Sequence, residues 1–398
     1  MSPLREREFR LLFLGRTVST IGNAIAPIAL AFAILELTGS KTDLGLVLAA
    51  RSIPQVIFLL FGGVIADRLP RHRVMVVSSL VSGATQAATA LLLLNGTAHL
   101  WEIVSLAAVN GTSSAFFFPA NTGIVPQTVP ESLLQQANAL LRLALNGTFI
   151  GGAALGGVLV AATNPGWALL IDGVTFALGA VFIGAMRIPA GLRMEGSTVL
   201  AELHEGWRDF RSRTWLWVIV VQFGVVNAAQ TGALDVLGPA VARDSLGGAA
   251  AFGAILTAQA LGLVASGFFM LRFRPGRILL VATLGVLALP LPILALAVPL
   301  TLPAIAACAF IAGFGVEIFG VLWDTAIQQE IPLERLSRVS AYDAVGSLVL
   351  MPIGLAVAGP VADAIGTREA LIGAAALVVG GTLPVFLSRD VRTLRRRA

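Results

Sequence analysis

The chain has few of the charged residues that a soluble protein of its size carries. Only 12% of its 398 residues are charged, against about 25% in a typical soluble domain. That share is too small to cover a globule of this size, so the composition excludes a soluble enzyme, a disordered chain and a coiled coil. The single cysteine, Cys308, lies in an apolar stretch, and there are only three histidines. A disulfide framework and a Cys/His zinc site are therefore excluded, and we expect no metal and no cofactor.

Lysine is almost absent. The chain has 27 basic residues and a formal net charge of +5, and all the bases except Lys41 are arginine. These charges are too few to bind nucleic-acid phosphates. They fit loops on the cytoplasmic side of a membrane, where basic residues accumulate.

Long apolar runs make up most of the sequence, in which 57% of the residues are hydrophobic. A membrane helix needs about 20 mainly apolar residues, and the chain provides twelve such runs. The first continues through a full span, so we interpret it as an uncleaved first helix rather than a signal peptide. The sequence predicts an all-α membrane protein with spans near residues 11–36, 44–66, 74–95, 100–125, 142–162, 167–186, 215–241, 249–271, 278–297, 301–327, 341–364 and 369–387.

The arginines orient these spans. In the predicted topology 22 basic residues lie on one side of the membrane, and only Lys41, Arg243 and Arg368 lie on the other. Arg16 and Arg51 fall inside spans. This asymmetry predicts that both termini are cytoplasmic in a multi-pass protein of the cell membrane.

The predicted spans form two sets of six, at 1–186 and 214–398, separated by the charged segment 187–213. In that segment Leu200, Leu203, Trp207 and Phe210 recur at helical spacing among charged residues. This pattern predicts an amphipathic helix on the cytoplasmic membrane surface. The alternative is a solvated linker with a chance apolar stripe.

The two halves repeat each other. QTVPESLLQQANA at 127–139 aligns with QEIPLERLSRVSA at 329–341, and GGVIADRLPRHR at 62–73 aligns with SGFFMLRFRPGR at 266–277. In the second pair, Arg68 and Arg73 recur as Arg272 and Arg277. Two parallel repeats joined by a linker are a transporter plan, with the substrate site between the halves near the membrane midplane.

At these residues the chain resembles the major facilitator superfamily. GGVIADRLPRHR resembles the loop signature between that family's helices 2 and 3. The segments 37–55, 116–140 and 323–343 resemble bacterial efflux members related to macrolide and siderophore exporters. Two features depart from the family. Ala153 stands where the helix 5 antiporter signature has proline, and helix 4 lacks the arginine of many drug antiporters.

The resemblance implies alternating access, with helices 1, 4, 7 and 10 lining the cavity. Polar residues at helical spacing on the matching spans agree with this assignment. The cavity-lining candidates are Arg16, Asn23, Asn110, Asn121, Asn227 and Thr231. Charges inside spans usually face a cavity or a partner, although for Arg51 and Asp172 we favour a structural role.

A loop and an acid are the main mechanistic candidates. We expect Asp67, Arg68 and Arg71 to form a conformational loop that closes the cytoplasmic face, with Asp343 or Glu131 as the arginines' partner. The alternative is a loop whose charges only set topology.

For proton coupling, Glu317 is the first candidate because it lies near the middle of its span; Asp235 is the second and Asp324 the third. An apolar setting favours a protonated carboxyl, which suits a group that must bind and release a proton. Alternatively, Glu317 is a structural acid paired with Arg16.

The sequence thus predicts a proton-coupled exporter of small hydrophobic or amphiphilic molecules, such as drugs, macrolides or siderophore-like compounds. A lipid or lysolipid flippase and a non-transporting membrane receptor remain alternatives. No Ser/His, Cys/His or paired-acid arrangement supports an enzyme. The expected partners are the substrate, protons and the bilayer, and we expect a monomer that binds no nucleic acid.

Overall fold

A computed structural model describes residues 3–130, 133–188, 207–208, 210–270, 272–298, 300–331 and 333–395. Within these ranges the side chains of some helical residues, including Asp67, Arg68 and Arg142, are not described. The described chain is built of helices and contains no strand; twelve of its helices are long and apolar enough to cross a membrane. The predicted fold class and number of spans are therefore confirmed.

The first six helices follow the predicted spans closely. Short turns join most of them; for example, the five residues from Asn95 to His99 connect the third helix to the fourth. The bounds are α1 Arg7–Thr38, α2 Lys41–Arg68, α3 Arg71–Leu94, α4 Leu100–Ile124, α5 Leu134–Ala162 and α6 Pro165–Gly184.

The remaining six spans are less regular. α7 covers Thr214–Leu246, α9 is interrupted before Pro290, and α11 is interrupted before Met351. The other bounds are α8 Ala249–Met270, α9 Ile278–Val286 with Pro290–Ala297, α10 Leu302–Glu330, α11 Leu333–Leu348 with Met351–Ile365, and α12 Thr367–Thr382.

Local capping explains several helix ends. The Ser40 side chain accepts a hydrogen bond from the Asp43 backbone N–H at 3.1 Å at the start of α2, and the Asn164 side chain accepts one from the Gly166 N–H at 2.7 Å at the start of α6. These bonds satisfy backbone donors that a helix start leaves free. α1 ends at Gly39, whose φ of 69° lies in the left-handed region that glycine adopts without strain.

α7 contains two π-helical segments, Gly232–Leu237 and Ala242–Leu246, separated by the α-helical turn Gly238–Val241. A π segment widens the helix and changes the direction in which its side chains point relative to an α-helix. Such segments are rare and occur frequently at functional sites. Asp235 lies within the first π segment. Its side chain therefore points in a different direction from the one that the sequence predicts for a continuous α-helix.

The chain forms two compact units. Unit 1 contains residues 1–194 and 242–257, and unit 2 contains residues 195–241 and 258–398. The unit boundary near residue 194 falls inside the predicted linker 187–213. The division into six-helix halves stays a prediction, because the segment 242–257 groups with unit 1.

Unit 1 is held together by close helix contacts at small residues. A Cβ on Gly83 of α3 would lie 2.9 Å from the Gly173 backbone oxygen of α6, and one on Gly15 of α1 would lie 3.0 Å from the Gly179 oxygen. α2 and α4 meet where Gly111 touches the Arg51 backbone. Glycine at these points lets helices approach closely enough for good packing in lipid.

In unit 2, glycine likewise lets α7 and α11 approach each other closely. Gly354 of α11 lies against the Ala228 backbone, and a Cβ on Gly232 would lie 2.7 Å from the Gly354 oxygen. The end of the predicted amphipathic helix also packs in this unit: the rings of Trp207 and Phe210 lie 5.6 and 6.0 Å from the ring of Tyr342 on α11. Leu200 and Leu203 lie outside the described residues.

Candidate transport site

In unit 1, α1 has two distinct faces. One face carries Gly15, Ser19 and Gly22 and is buried against α6. The other carries the half-buried Arg16 and the exposed Asn23. The Asn23 amide donates to the Ser19 backbone oxygen at 3.1 Å. No bond to a described residue is found for the Arg16 guanidinium.

A polar cluster fills the contact between α3 and α6. Asp172 is 0% exposed, and its Oδ2 accepts a hydrogen bond from Gln86 Nε2 at 2.6 Å. Arg51 of α2 lies close enough to Asp172 to interact with it electrostatically and lines a small cavity together with Gln86. The structure thus brings together the two charges, Arg51 and Asp172, for which the sequence favoured a structural role.

Gly22 completes the surroundings of Asp172. A Cβ at this position would collide with Asp172 Oδ1 and Thr175 Oγ1, and it would lie 2.8 Å from Asp172 Cα. Asp172 Oδ1 has no hydrogen-bond partner in the described part of the chain. Close packing by α1 therefore seals this carboxylate from open space.

Asn110 belongs to a second polar network, between α3 and α4. Its amide donates to Thr85 Oγ1 at 3.0 Å, and Ser113 Oγ donates to the Ser78 backbone oxygen at 2.6 Å. Asn110 is buried, so α3 holds its side chain in this conformation. Asn121, farther along α4, is half-buried and its Oδ1 has no hydrogen-bond partner among the described residues.

In unit 2 the predicted stripe on α7 divides into two parts. Asn227 donates to the Ser347 backbone oxygen of α11 at 2.9 Å, and Thr231 Oγ1 donates back to the Asn227 oxygen at 2.8 Å. Asp235, within the π segment, is exposed, whereas the other five residues of Gly232–Leu237 are buried. Among the described residues its carboxylate has no hydrogen-bond or ion-pair partner.

Glu317 and Asp324 lie on α10, and within the described residues no hydrogen bond or ion pair joins either acid to Asp235. Glu317 is half-buried and points towards α8, since its Oε1 lies 4.0 Å from the position of a Cβ on Gly267. Both acids interact with other residues. Neither is an isolated charge.

An aromatic cluster in unit 2 was missed by sequence reasoning. The ring of Phe319 stacks on that of Phe223 at 4.1 Å and on that of Trp323 at 5.7 Å, and Trp323 meets Trp215 edge-on at 5.6 Å. The indole N–H of Trp323 donates to Asp343 Oδ2 at 3.0 Å. The four-residue spacing of Phe319 and Trp323 was the available signal, because it places both rings on one helix face.

The predicted conformational loop is described only in part. Asp67 and Arg68 lie in the last turn of α2, but their side chains and Glu131 lie outside the described residues. Arg71 is half-buried and has an interaction partner. Asp343, its expected partner, accepts bonds from Trp323 and from Ser347 Oγ at 3.3 Å. Within the described ranges no three His, Cys, Asp or Glu side chains come together to hold a metal ion.

Twelve helices long and apolar enough to cross a membrane define a multi-pass membrane protein. Residues 12–354 match the Major Facilitator Superfamily, and the chain belongs to that family, so it is a transporter and not an enzyme.

The curated relatives cover nearly the whole chain. It is 27% identical to the multidrug efflux pump Tap of Mycolicibacterium fortuitum, over 98% of both chains. It is 23% identical to macrolide efflux protein A of Streptococcus pyogenes, over 97% of both. It is 27% identical to the enterobactin exporter EntS of Salmonella typhimurium, over 95% of this chain and 93% of that one.

Solved structures share the fold. The nucleoside transporter NupG superposes with a TM-score of 0.75 at 12% identity, over 96% of this chain and 98% of that one. A bacterial homologue of the human lysosomal transporter Spinster, inward-facing and occupied, superposes with a TM-score of 0.73 at 15% identity, over 99% of both chains. At these identities the likeness shows the fold alone.

Proposed function

We propose that this transporter exports small hydrophobic or amphiphilic molecules in exchange for protons. Export is supported by the relatives, which are named for efflux of several drugs, of macrolides and of enterobactin. Because their cargoes differ and the identities are 23 to 27%, the proposal extends to a class of cargo rather than to one compound.

The observation that carries proton coupling is the carboxylate of Asp235. It is exposed within an otherwise buried segment of α7 and has no bonded partner among the described residues. A lone charge is costly inside a membrane unless it faces a polar space or a partner. Protonation removes that charge. It therefore lowers the free energy of Asp235 in the membrane more than that of a carboxylate whose charge is already stabilised by hydrogen bonds.

Glu317 and Asp324 complete the proposed set. Glu317 lies in the middle of α10, and both acids have interaction partners. Protonation of either acid would therefore alter an existing contact as well as a charge. We propose that such a change in contacts favours one conformation of the transporter over the other, which is what coupling requires.

The test is substrate-driven proton flux in proteoliposomes that contain a pH-sensitive dye. The cargo is a macrolide, and the variants are Asp235→Asn and Glu317→Gln. If an acid couples transport to protons, the variant that neutralises it should show a proton flux at least tenfold lower, while macrolide binding and passive exchange are retained. Asp363→Asn, an exposed acid near the end of α11, is the matched control and should keep full flux. Full flux from both folded test variants would show that neither Asp235 nor Glu317 couples transport to protons.

The same liposomes separate the alternatives. A flippase would move a fluorescent lysolipid between leaflets faster than protein-free liposomes, and a receptor would bind cargo without moving it. Macrolide movement without lysolipid movement is the expected result.

The proposed conformational loop is tested in the same assay. Asp67→Ala should lower transport several-fold while leaving the protein in the membrane, because it removes a contact of one conformation only. Normal transport by this variant would indicate that the charges of the loop only set the topology.

The proposed orientation places both termini in the cytoplasm. Reporter fusions after Lys41, Thr97 and Arg243 should then be external. A cytoplasmic signal from the fusion at Thr97 would invert every later span and overturn the topology.

A further inference from the structure

A groove runs between α2 and α3 of unit 1, and the bond between Ser113 and Ser78 described above lies on its floor. α2 and α3 each pack closely on α4 but scarcely touch each other, so a cleft opens between them with α4 as its floor. The cleft has a volume of about 430 Å³, which lies within the range of about 300 to 1,000 Å³ that small-molecule sites occupy.

The lining of the groove is apolar along most of its length. Its walls and floor include Ile65 and Leu69 of α2, Val77 of α3, and Val109 and Phe116 of α4. Two hydroxyl groups on the floor are already engaged: Thr112 Oγ1 donates to the Ala108 oxygen at 2.9 Å, and Ser113 Oγ donates to the Ser78 oxygen. The middle of the groove therefore offers apolar contact and few free hydrogen-bonding groups.

One end of the groove is basic. Arg73, in the first turn of α3, lines the groove and is exposed. Its guanidinium has no hydrogen bond or ion pair with any side chain that the structure describes. The acid Glu8, which interacts electrostatically with the adjacent residue His72, pairs with Arg7 at 2.6 Å and accepts the Arg187 backbone N–H at 2.8 Å. An exposed arginine that no described side chain binds, beside an apolar groove, matches an amphiphile with an anionic head.

The groove extends from Arg73 to Val81 along α3, eight residues or about 12 Å at the helical rise. That length suits part of an acyl chain lying parallel to the helices. Arg73 lies at the predicted cytoplasmic end of α3, and the cytoplasmic leaflet contains anionic phospholipids that basic pockets bind.

We infer that the groove between α2 and α3 is a binding site for an anionic phospholipid of the cytoplasmic leaflet, with the phosphate at Arg73 and one acyl chain against Val77, Val109 and Phe116. The inference does not depend on the cargo or on proton coupling. Arg73 belongs to the loop signature between helices 2 and 3, so an occupied groove would place a lipid phosphate beside that loop.

The internal repeat supplies a control for the charge. Arg277 occupies the position in the second half that Arg73 occupies in the first. It likewise stands at the start of a helix at the exposed end of a span, but it does not line this groove.

The experiment measures binding of phosphatidylglycerol and phosphatidylcholine, each carrying a fluorescent acyl chain, to the detergent-purified full chain. The wild type should prefer phosphatidylglycerol. Arg73→Gln should weaken phosphatidylglycerol binding about fivefold, which corresponds to one basic residue near a membrane surface. It should weaken phosphatidylcholine binding less, because the choline ammonium already offsets the charge of that lipid's phosphate; Arg73→Lys should restore the preference, and Arg277→Gln should behave as wild type. An equal effect of Arg73→Gln and Arg277→Gln would overturn the inference, because it would show a general charge effect.

A second pair of variants tests the apolar part of the site. Val77→Trp fills the groove and should lower binding of both lipids, whereas Leu80→Trp should not, since Leu80 is 51% exposed on the same helix but does not line the groove. If Val77→Trp leaves lipid binding intact and weakens macrolide binding instead, the groove is a cargo entry and the lipid site is wrong. Because lipid binding needs no transport, failure here is distinguishable from failure of the proposed exchange with protons.

Discussion

Asp172 and Asp235 are both acids within membrane spans, and their surroundings differ completely. Asp172 is 0% exposed, accepts a bond from Gln86 at 2.6 Å and faces Arg51. Asp235 is exposed and has no bonded partner among the described residues. The first carboxylate is part of the packing of unit 1, whereas no described residue bonds to the second.

We propose that this contrast, rather than depth in the membrane, distinguishes a structural charge from a coupling charge. A buried charge must be paired and hydrogen-bonded, and its removal leaves the partner without compensation. An exposed charge without a bond is not required for packing, so stability does not explain its presence. Unfolding measurements on variants of the two acids therefore test the proposed roles.

The largest effect on stability is expected for Asp172→Ala. Removal of the carboxylate leaves the Gln86 amide and the Arg51 guanidinium without their partner, at a cost of about 3 kcal/mol. The melting temperature of the detergent-purified protein should fall by several degrees. Asp235→Ala should melt as wild type does, and a drop as large as that of Asp172→Ala would mean that Asp235 is also structural.

The next largest effect is expected for Gly22→Ala. The added methyl group would collide with Thr175 and with the sealed carboxylate of Asp172, and overpacking of this kind costs about 1 to 3 kcal/mol.

Gly147→Ala is the matched control for this change. Gly147 is also a glycine within a helix, but no atom lies within 4 Å of the place where its Cβ would be. Alanine is the better helix former, so this variant should be as stable as the wild type or more so. Equal losses in the two variants would show that the contact between Gly22 and α6 does not matter.

The sequence predicts the membrane spans better than it predicts the polar clusters between them. A span is a local property, since about 20 apolar residues in a row suffice to define it, and the observed α3, Arg71–Leu94, matches the predicted 74–95 closely. The bond between Gln86 and Asp172 joins residues 86 positions apart. A single sequence does not show which polar residues meet across that distance.

Helix irregularity limits the prediction of the site in a second way. Asn227, Thr231 and Asp235 are spaced by four, which predicts one stripe if α7 is α-helical throughout. The π segment that starts at Gly232 breaks that register, so Asp235 is exposed while Asn227 bonds to α11. No residue type marks a π segment reliably, so the direction of Asp235 had to come from the structure.

A smaller effect is expected for Asn227→Ala. The change removes one hydrogen bond, from the Asn227 amide to the Ser347 oxygen of α11 at 2.9 Å, and such a bond contributes about 1 kcal/mol. The melting temperature should fall by less than it does for Gly22→Ala. Thr231→Val is the control, because the Thr231 hydroxyl bonds only within α7. A larger loss for Thr231→Val would contradict the assignment of Asn227 to the contact with α11.

The smallest effect on stability is expected for Asp235→Asn, within about 0.5 kcal/mol of the wild type, because no bonded partner among the described residues is lost. The same variant should show the large loss of substrate-driven proton flux proposed above, since an amide neither binds nor releases a proton near neutral pH.

Asp172→Asn is the comparison. Its amide keeps the shape of the side chain but removes the charge that faces Arg51, so it should lower the melting temperature, and its remaining folded protein should keep proton flux. If Asp235→Asn melts early and Asp172→Asn loses flux while staying folded, the roles of the two acids are the reverse of those proposed, and exposure of the side chain is not the property that identifies the coupling residue.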